Sequence, residues 1–259
     1  MPLGAHGGGN KGLSGETFLA SPGGRGYGRN GRRPQIIAID GNIGSGKSTL
    51  VRKLQEELGT RGPADKELVR CATERTEEWK EILPLYYSDV PRWSFPFQMQ
   101  CLLSHLRTMK ENADVELLIT ERSPMATQKV FGSALLKDGD ITEQESALFD
   151  QFVDEFAWKP DHVIYLECPA AICDERIRKR SRDGESGIPI AYLEGIGHAY
   201  DQFLDKYQKQ GHGVHRIDAT KTPEATFEAA MAKLMEGVVR TPISENLLPR
   251  GPDGSAANR

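Results

Sequence analysis

Nine consecutive residues, Gly41-Asn42-Ile43-Gly44-Ser45-Gly46-Lys47-Ser48-Thr49, carry the spacing G-x-x-x-x-G-K-S, which suits the grip of a polyphosphate. Glycines let the backbone wrap an anion, so that amide N–H groups and the start of a following helix point partial positive charge at it. Lys47 would then reach the β- and γ-phosphates, and the Ser48 hydroxyl would help to hold Mg2+. A glycine-rich turn with an incidental Lys-Ser pair is the bland alternative. The flanks argue against it. Gln35 to Asp40 is an apolar run of strand length, and Ser48 to Leu58 puts Leu50, Val51, Leu54 and Leu58 on one helical face.

Three further groups could do chemistry beside that loop. Glu121-Arg122-Ser123 ends the apolar run Leu117 to Thr120, and an acidic residue there sits where a phosphate-binding sheet holds its Mg2+; a surface Glu-Arg pair is the alternative. Glu74 follows the run Glu67 to Ala72, and a carboxylate there could take the proton of an alcohol acceptor, or could be a solvated turn residue. Arg176, Arg178, Lys179, Arg180 and Arg182 lead into Asp183-Gly184-Glu185-Ser186-Gly187-Ile188-Pro189. A basic helix running into a glycine-bearing loop reads as a lid that brings guanidiniums onto a transferring phosphoryl group, against the plainer reading of a solvated basic face. The stretch Tyr86 to Gln98 is dense in aromatics, and Gln98 offers a paired donor and acceptor for a flat base. Alone, that stretch, with Trp79, Phe97 and Phe131, would read as core packing.

The elements that must position these residues alternate. Strands are expected at 35–40, 67–72, 117–120, 162–166 and 214–218. Helices are expected at 48–58, 92–112, 142–156, 169–179, 191–208 and 223–238. Alternating strands and helices, with strands apolar throughout, predict an α/β three-layer sandwich of the P-loop NTPase type with a five-stranded parallel sheet and an Arg-rich lid. Ligands then bind at the carboxyl ends of the strands, where Glu74, Glu121 and the glycine loop all fall.

The whole chain has 259 residues and a net charge of −4, so nucleic acid is not expected as a partner. No apolar run reaches membrane-span length. The four cysteines, Cys71, Cys101, Cys168 and Cys173, lack metal spacing and read as reduced thiols of a cytoplasmic protein. Residues 1–33 are Gly- and Arg-rich without apolar periodicity and are expected to be a disordered tail; their basic, acid-poor composition leaves a mitochondrial presequence as the lesser alternative. Residues 34–240 form the expected domain, and residues 241–259 a second disordered tail.

In order along the chain stand G-N-I-G-S-G-K-S, T-E, R-W-x-x-P-F-Q, E-R-S and an Arg-rich E-R-I-R-x-R-x-R stretch. This series resembles the deoxynucleoside kinases, a family that includes the insect multisubstrate enzyme, mitochondrial thymidine kinase, deoxycytidine and deoxyguanosine kinases and viral relatives. The likeness spans about Gln35 to Val238. It implies that Gly41 to Thr49 hold the triphosphate of ATP. Glu74 is then the base for the 5′-hydroxyl proton, and Arg122 steadies the 5′-oxygen and that base. The resemblance assigns Tyr87 and Glu185 to the sugar 3′-hydroxyl, Gln98 to the base edge and Phe131 to stacking on the base, with Trp79 and Phe97 lining the pocket. Arg180 and Arg182 would act on the phosphates from the lid, Arg176 would lie over the donor base, and Ser48 and Glu121 would serve Mg2+. A deoxynucleoside and ATP are the implied small-molecule partners, and a homodimer the implied assembly. Arg75 stands where the family usually has Pro, and Pro124 where cellular members often have Ile or Val. Cys101, His105 and Thr127 fall where the family tunes base choice. Gln98 can flip its amide to read thymine or cytosine, which predicts a pyrimidine preference. Two other readings compete: a thymidylate-kinase-like nucleoside monophosphate kinase, with Arg75 gripping the acceptor phosphate, and a GTP-binding switch, for which no N-K-x-D motif follows the loop.

Overall fold

A computed structural model describes residues 33–59, 68–181 and 187–239. Arg182, Glu185, the expected first strand residue Glu67, residues 1–32 and the carboxyl-terminal stretch lie outside the described residues.

Five parallel strands make the sheet: β1 (Gln35–Gly41), β2 (Val69–Ala72), β3 (Leu117–Glu121), β4 (His162–Glu167) and β5 (Gly213–Asp218), in the order β2-β3-β1-β4-β5. β1 is central, and all seven of its residues are buried. A strand covered on both faces has no solvent side to keep polar, which explains why its apolar run is unbroken. Successive side chains alternate between faces. Ile37 and Ile39, with Leu117, Ile119, Ile164 and Leu166, pack on Leu50, Val51, Leu54 and Leu58 of α1 (Lys47–Leu58) and on Ala230 of α9 (Pro223–Lys233). Ala38, Val163 and Tyr165 face the other way. They meet Leu102 of α3 (Val90–Glu111), Phe149 and Val153 of α6 (Glu143–Phe156), and Ile196, Tyr200 and Leu204 of α8 (Ile190–Lys209). Between β4 and α8 lies α7 (Ala170–Arg180), which carries the basic run.

Most expected elements stand within a few residues of their predicted ends. Besides a one-turn 3-10 segment, Thr76–Trp79, two helical segments have no counterpart in the sequence reading. The first, α2 (Ile82–Ser88), is two turns long and apolar at six of its seven residues, too short and too uniform for a helical period to stand out. The second runs from α4 (Pro124–Ala126) through a π-helical stretch, Thr127–Gly132, into α5 (Ser133–Asp138). A π-turn shifts the side-chain period away from 3.6, which scrambles the stripe that would mark the helix. Its start is nevertheless capped in the ordinary way: the Ser123 hydroxyl accepts from the Ala126 amide at 3.1 Å, ahead of Pro124. Arg33 forms a two-pronged pair with Asp161 at 2.9 and 2.7 Å, and Asp161 also accepts the Ile36 amide.

Candidate active site

β1 ends at the centre of the sheet and turns sharply into α1. Gly41, Gly44 and Gly46 take positive φ there, 152°, 81° and 105°. At Gly44 the space is also closed: a Cβ would lie 2.5 Å from the Cys173 carbonyl oxygen, so the loop seats directly on the first turns of α7. The loop is held by its surroundings. Asn42 donates to the Leu193 carbonyl of α8 at 2.7 Å, and Arg176 of α7 donates to the Ser45 carbonyl at 3.2 Å. Lys47 is buried and donates to the Asn42 carbonyl at 2.7 Å. Burial, with the Arg122 charge nearby, lowers its ammonium to about 8. An incoming polyanion would restore it.

Beside the loop stand three acidic groups and two cations. The Ser48 hydroxyl donates to Glu121 Oε1 at 2.7 Å, and the Glu74 amide to Glu121 Oε2 at 3.3 Å. Arg122 Nε donates to Glu74 Oε1 at 2.6 Å. Burial alone would raise the Glu74 carboxyl, but the charges of Arg122 and Lys47 outweigh it and hold the group below its ordinary value. Glu121 moves the opposite way: burial and the neighbouring Glu74 charge raise it. Glu74 is therefore a carboxylate at neutral pH, the form that accepts a proton. Asp40, at the end of β1, completes the set. It is fully buried, accepts from Ser123 at 3.1 Å and Tyr200 at 3.4 Å, and is pushed by burial up to about 6. Asp40 and Tyr200 are absent from the residues singled out in the sequence. An acidic residue closing an apolar strand is a signal for Asp40; Tyr200 has none, because on α8 it reads as one more core aromatic.

A continuous cavity of about 820 Å³ runs from the loop toward α2, α3 and α5. Ile43, Gly44, Ser45, Gly46, Lys47, Ser48, Thr49, Arg176 and Arg180 line its glycine-loop end. Glu74, Glu121 and Arg122 stand at its middle, and Trp79, Tyr87, Phe97, Gln98 and Phe131 at its far end. Gly41 and Asn42 do not line it. Gly41 gives its carbonyl to Arg122 at 2.9 Å, and Asn42 braces α8. The far end is aromatic: Trp79 meets Phe97 edge-on at 5.6 Å, Tyr86 stacks on Phe97 at 4.9 Å, and the Arg122 guanidinium lies 4.6 Å over Phe131. Tyr86 and Tyr192, also in the wall, are pocket residues the sequence reading did not assign. Among the described residues, two buried side-chain atoms have no hydrogen-bond partner, Gln98 Oε1 and Ser45 Oγ, and both belong to residues in this wall.

His105 Nε2 lies 3.1 Å from the Thr127 hydroxyl, between α3 and the π-stretch. Burial lowers its imidazole from 6.5 to about 4. Between those pH values the unfolded chain binds a proton that the folded one does not, so this contribution to stability is lost as pH falls through the window. The shift corresponds to roughly 3 kcal/mol. Asp40 acts with the opposite sign over part of the same range, since its folded carboxyl is raised from 3.8 to about 6. The two are separated by difference: His105→Gln is expected to gain on wild type, by up to roughly 3 kcal/mol, as pH falls from 7 to 4 in denaturant melts. A pH-independent offset would contradict a neutral, buried ring.

Arg75 does not extend into the cavity. It pairs with Glu78 at 2.7 Å and with Glu111, and its Nε donates to Thr108 at 3.2 Å. A guanidinium shared by two carboxylates is a poor grip for an acceptor phosphate.

The family model for deoxynucleoside kinases matches residues 37–243. A protein of Invertebrate iridescent virus 3, provisionally named a kinase, is 33% identical over 192 residues, covering 73% of this chain and 90% of its own. The thymidine kinase of Ictalurid herpesvirus 1 is 31% identical over 199 residues, with 73% and 81% covered. Deoxycytidine kinase 2 of Gallus gallus is 30% identical over 205 residues, with 69% and 76% covered. Among solved structures, a deoxyadenosine kinase from M. mycoides, with dCMP and a flexible dCDP bound as products, superimposes with a TM-score of 0.67 at 23% identity. That match covers 78% of this chain and 99% of the other.

Proposed function

The chain belongs to the deoxynucleoside kinase family and is a kinase of deoxynucleosides; from that premise we propose that it moves the γ-phosphoryl of ATP to the 5′-hydroxyl of pyrimidine deoxynucleosides, in nucleotide salvage. The observation that carries the reading is the single cavity that joins the glycine loop to an aromatic pocket, with the Glu74 carboxylate between them. The donor triphosphate lies in the loop Gly41 to Thr49, against Ile43 to Thr49, while Gly41 and Asn42 brace the loop from behind; Lys47 takes the β- and γ-phosphates, with the loop amides around them. Arg176 and Arg180 approach from α7, and Arg182 would follow from the lid. Glu74 accepts the 5′-hydroxyl proton as the oxygen turns on phosphorus; Arg122 keeps Glu74 ionised and aimed. Tyr87, with Glu185, would hold the sugar, and Gln98, stacked about by Phe131, Phe97 and Trp79, the base. The buried, unpartnered Gln98 Oε1 supports a base edge as its missing donor.

Ser48 and Glu121 offer a hydroxyl and a carboxylate within 2.7 Å of each other, hard oxygen donors of the kind Mg2+ takes alongside phosphate oxygens. When bound, Mg2+ would neutralise charge on the phosphates. Among the described residues there is no cluster of three or more His, Cys, Asp or Glu able to hold a metal unaided, and a site completed by phosphates needs none. A homodimer is supported by α6, where Leu148, Phe152 and Phe156 form an exposed stripe at helical spacing, with exposed Leu103 on the adjoining α3. No helix among the described residues is long and apolar enough to cross a membrane, and we place the protein in the cytoplasm on its reduced cysteines.

Base choice is tested by kcat/KM for thymidine, deoxycytidine, deoxyadenosine and deoxyguanosine under one condition. Thymidine and deoxycytidine are expected to lead, because His105 and Thr127 satisfy each other and leave no charged pair facing a purine. A purine at the head of the ranking overturns the preference. Phosphorylation of thymidylate but of no free nucleoside would overturn the acceptor assignment itself.

A further inference from the structure

Arg122 is one of two non-glycine residues with positive φ among the described residues, at 63°. A non-glycine residue held in that region is strained and persists only where its surroundings over-determine it. Here they do. The Arg122 amide donates to the Ile39 carbonyl at 3.0 Å, and the Thr120 hydroxyl donates to the Arg122 carbonyl at 2.9 Å. The twisted backbone sends the side chain across the end of β1. There Nε meets Glu74, and Nη1 donates both to the Gly41 carbonyl at 2.9 Å and to the Tyr200 hydroxyl at 2.7 Å.

The direction of these bonds is fixed. A guanidinium only donates, so the Tyr200 oxygen accepts from it, and the Tyr200 proton is left to point at Asp40 Oδ1, 3.4 Å away. Asp40 Oδ2 accepts from Ser123, whose hydroxyl also caps α4. Asp40 and Tyr200 are wholly buried and neither lines the cavity, so neither can touch a substrate. Packing alone would be served as well by Phe at 200 and by an apolar residue at 40. A fully buried carboxyl is expensive to place without a function for its charge.

We propose that Tyr200 and Asp40 are positioning residues for phosphoryl transfer: they anchor the Arg122 guanidinium from behind, and through it Glu74. The need for the anchor arises during the reaction. When Glu74 takes the acceptor proton it loses the charge that held Arg122 from the front. Asp40 keeps a counter-charge behind the guanidinium, relayed by the Tyr200 hydroxyl, so that Arg122 stays aimed at the reacting oxygen. This deepens the assignment of Glu74 and Arg122 and depends on it.

Tyr200→Phe keeps the ring and removes only the hydroxyl. Expected are a fall in kcat of roughly 10-fold, a nucleoside KM within about twofold of wild type, and a melting temperature within a few degrees of it. Introduced into Arg122→Met, which keeps the aliphatic stem, the same change is expected to cost nothing further, because the group it acts through is gone. Asp40→Asn should lower kcat by a similar factor, and Asp40→Asn with Tyr200→Phe should be no slower than the slower single variant. This second cycle stands even if Arg122→Met folds poorly. An unchanged kcat in Tyr200→Phe, or losses that multiply in both cycles, overturns the positioning role while leaving Glu74 and Arg122 in theirs. A wild-type kcat in Arg122→Met overturns the assignment of Arg122 and the proposal together.

Discussion

Lys47→Ala is expected to bring turnover down to background, roughly 10³-fold or more, with the fold retained. The side chain is buried at the entrance to α1, and its hydrogen bond goes to a carbonyl of its own loop, Asn42. Its removal breaks no bond between elements. What is lost is the charge that follows the phosphoryl group as negative charge shifts onto the bridging oxygen, and cationic stabilisers of that transition state are worth about 10³ to 10⁵ in rate. Lys47→Met, which keeps the aliphatic stem, is expected to be as inactive, so that packing is excluded as the cause. Steady-state rates with ATP and a deoxynucleoside, alongside melting temperatures, make the comparison. Activity near wild type in either variant contradicts the donor site.

Glu74→Gln is expected to lower kcat by about 10²-fold or more while nucleoside KM changes little, in the range general bases commonly contribute. The substitution is close to isosteric, and the amide oxygen can still accept from Arg122 Nε, so the 2.6 Å contact has a successor. The proton acceptor does not. Arg122 and Lys47 hold the wild-type carboxyl below its ordinary value, which keeps it ionised and makes it a weak base. That suits a loose transition state, in which the hydroxyl proton leaves late. An unchanged kcat with a raised KM would make Glu74 a binding residue instead.

Much of this site is legible in the sequence alone. The glycine loop is local: its φ values are permitted by Gly41, Gly44 and Gly46 themselves, and strand and helix on either side announce themselves by their apolar periods. Glu74, Glu121 and the basic run of α7 follow strands in sequence, and the parallel sheet gathers all strand ends at one edge, so their convergence needed only the topology. The aromatic pocket was legible as composition alone. Tyr87, Phe97 and Gln98 could equally have been core, and the resemblance to a family chose between the two.

The chain's own pattern thus determined the sheet, the phosphate loop and the identity of the charged residues, because each depends on residues close in sequence or on a period that burial imposes. Which charges oppose one another was left to the tertiary structure. Arg122 reaches Tyr200 across 78 positions of sequence, and Tyr200 reaches Asp40 across 160. The helix segment from Pro124 to Asp138 hides its period behind a π-turn. Arg75 could have faced a substrate phosphate or its own neighbours: Glu78 is three residues on in the same turn, but the second carboxylate, Glu111, comes from α3 and only the tertiary fold brings it there. Partner choice among buried charges is a long-range, low-dielectric matter, in which a few ångströms decide the sign of the interaction, and a linear sequence carries no such distances.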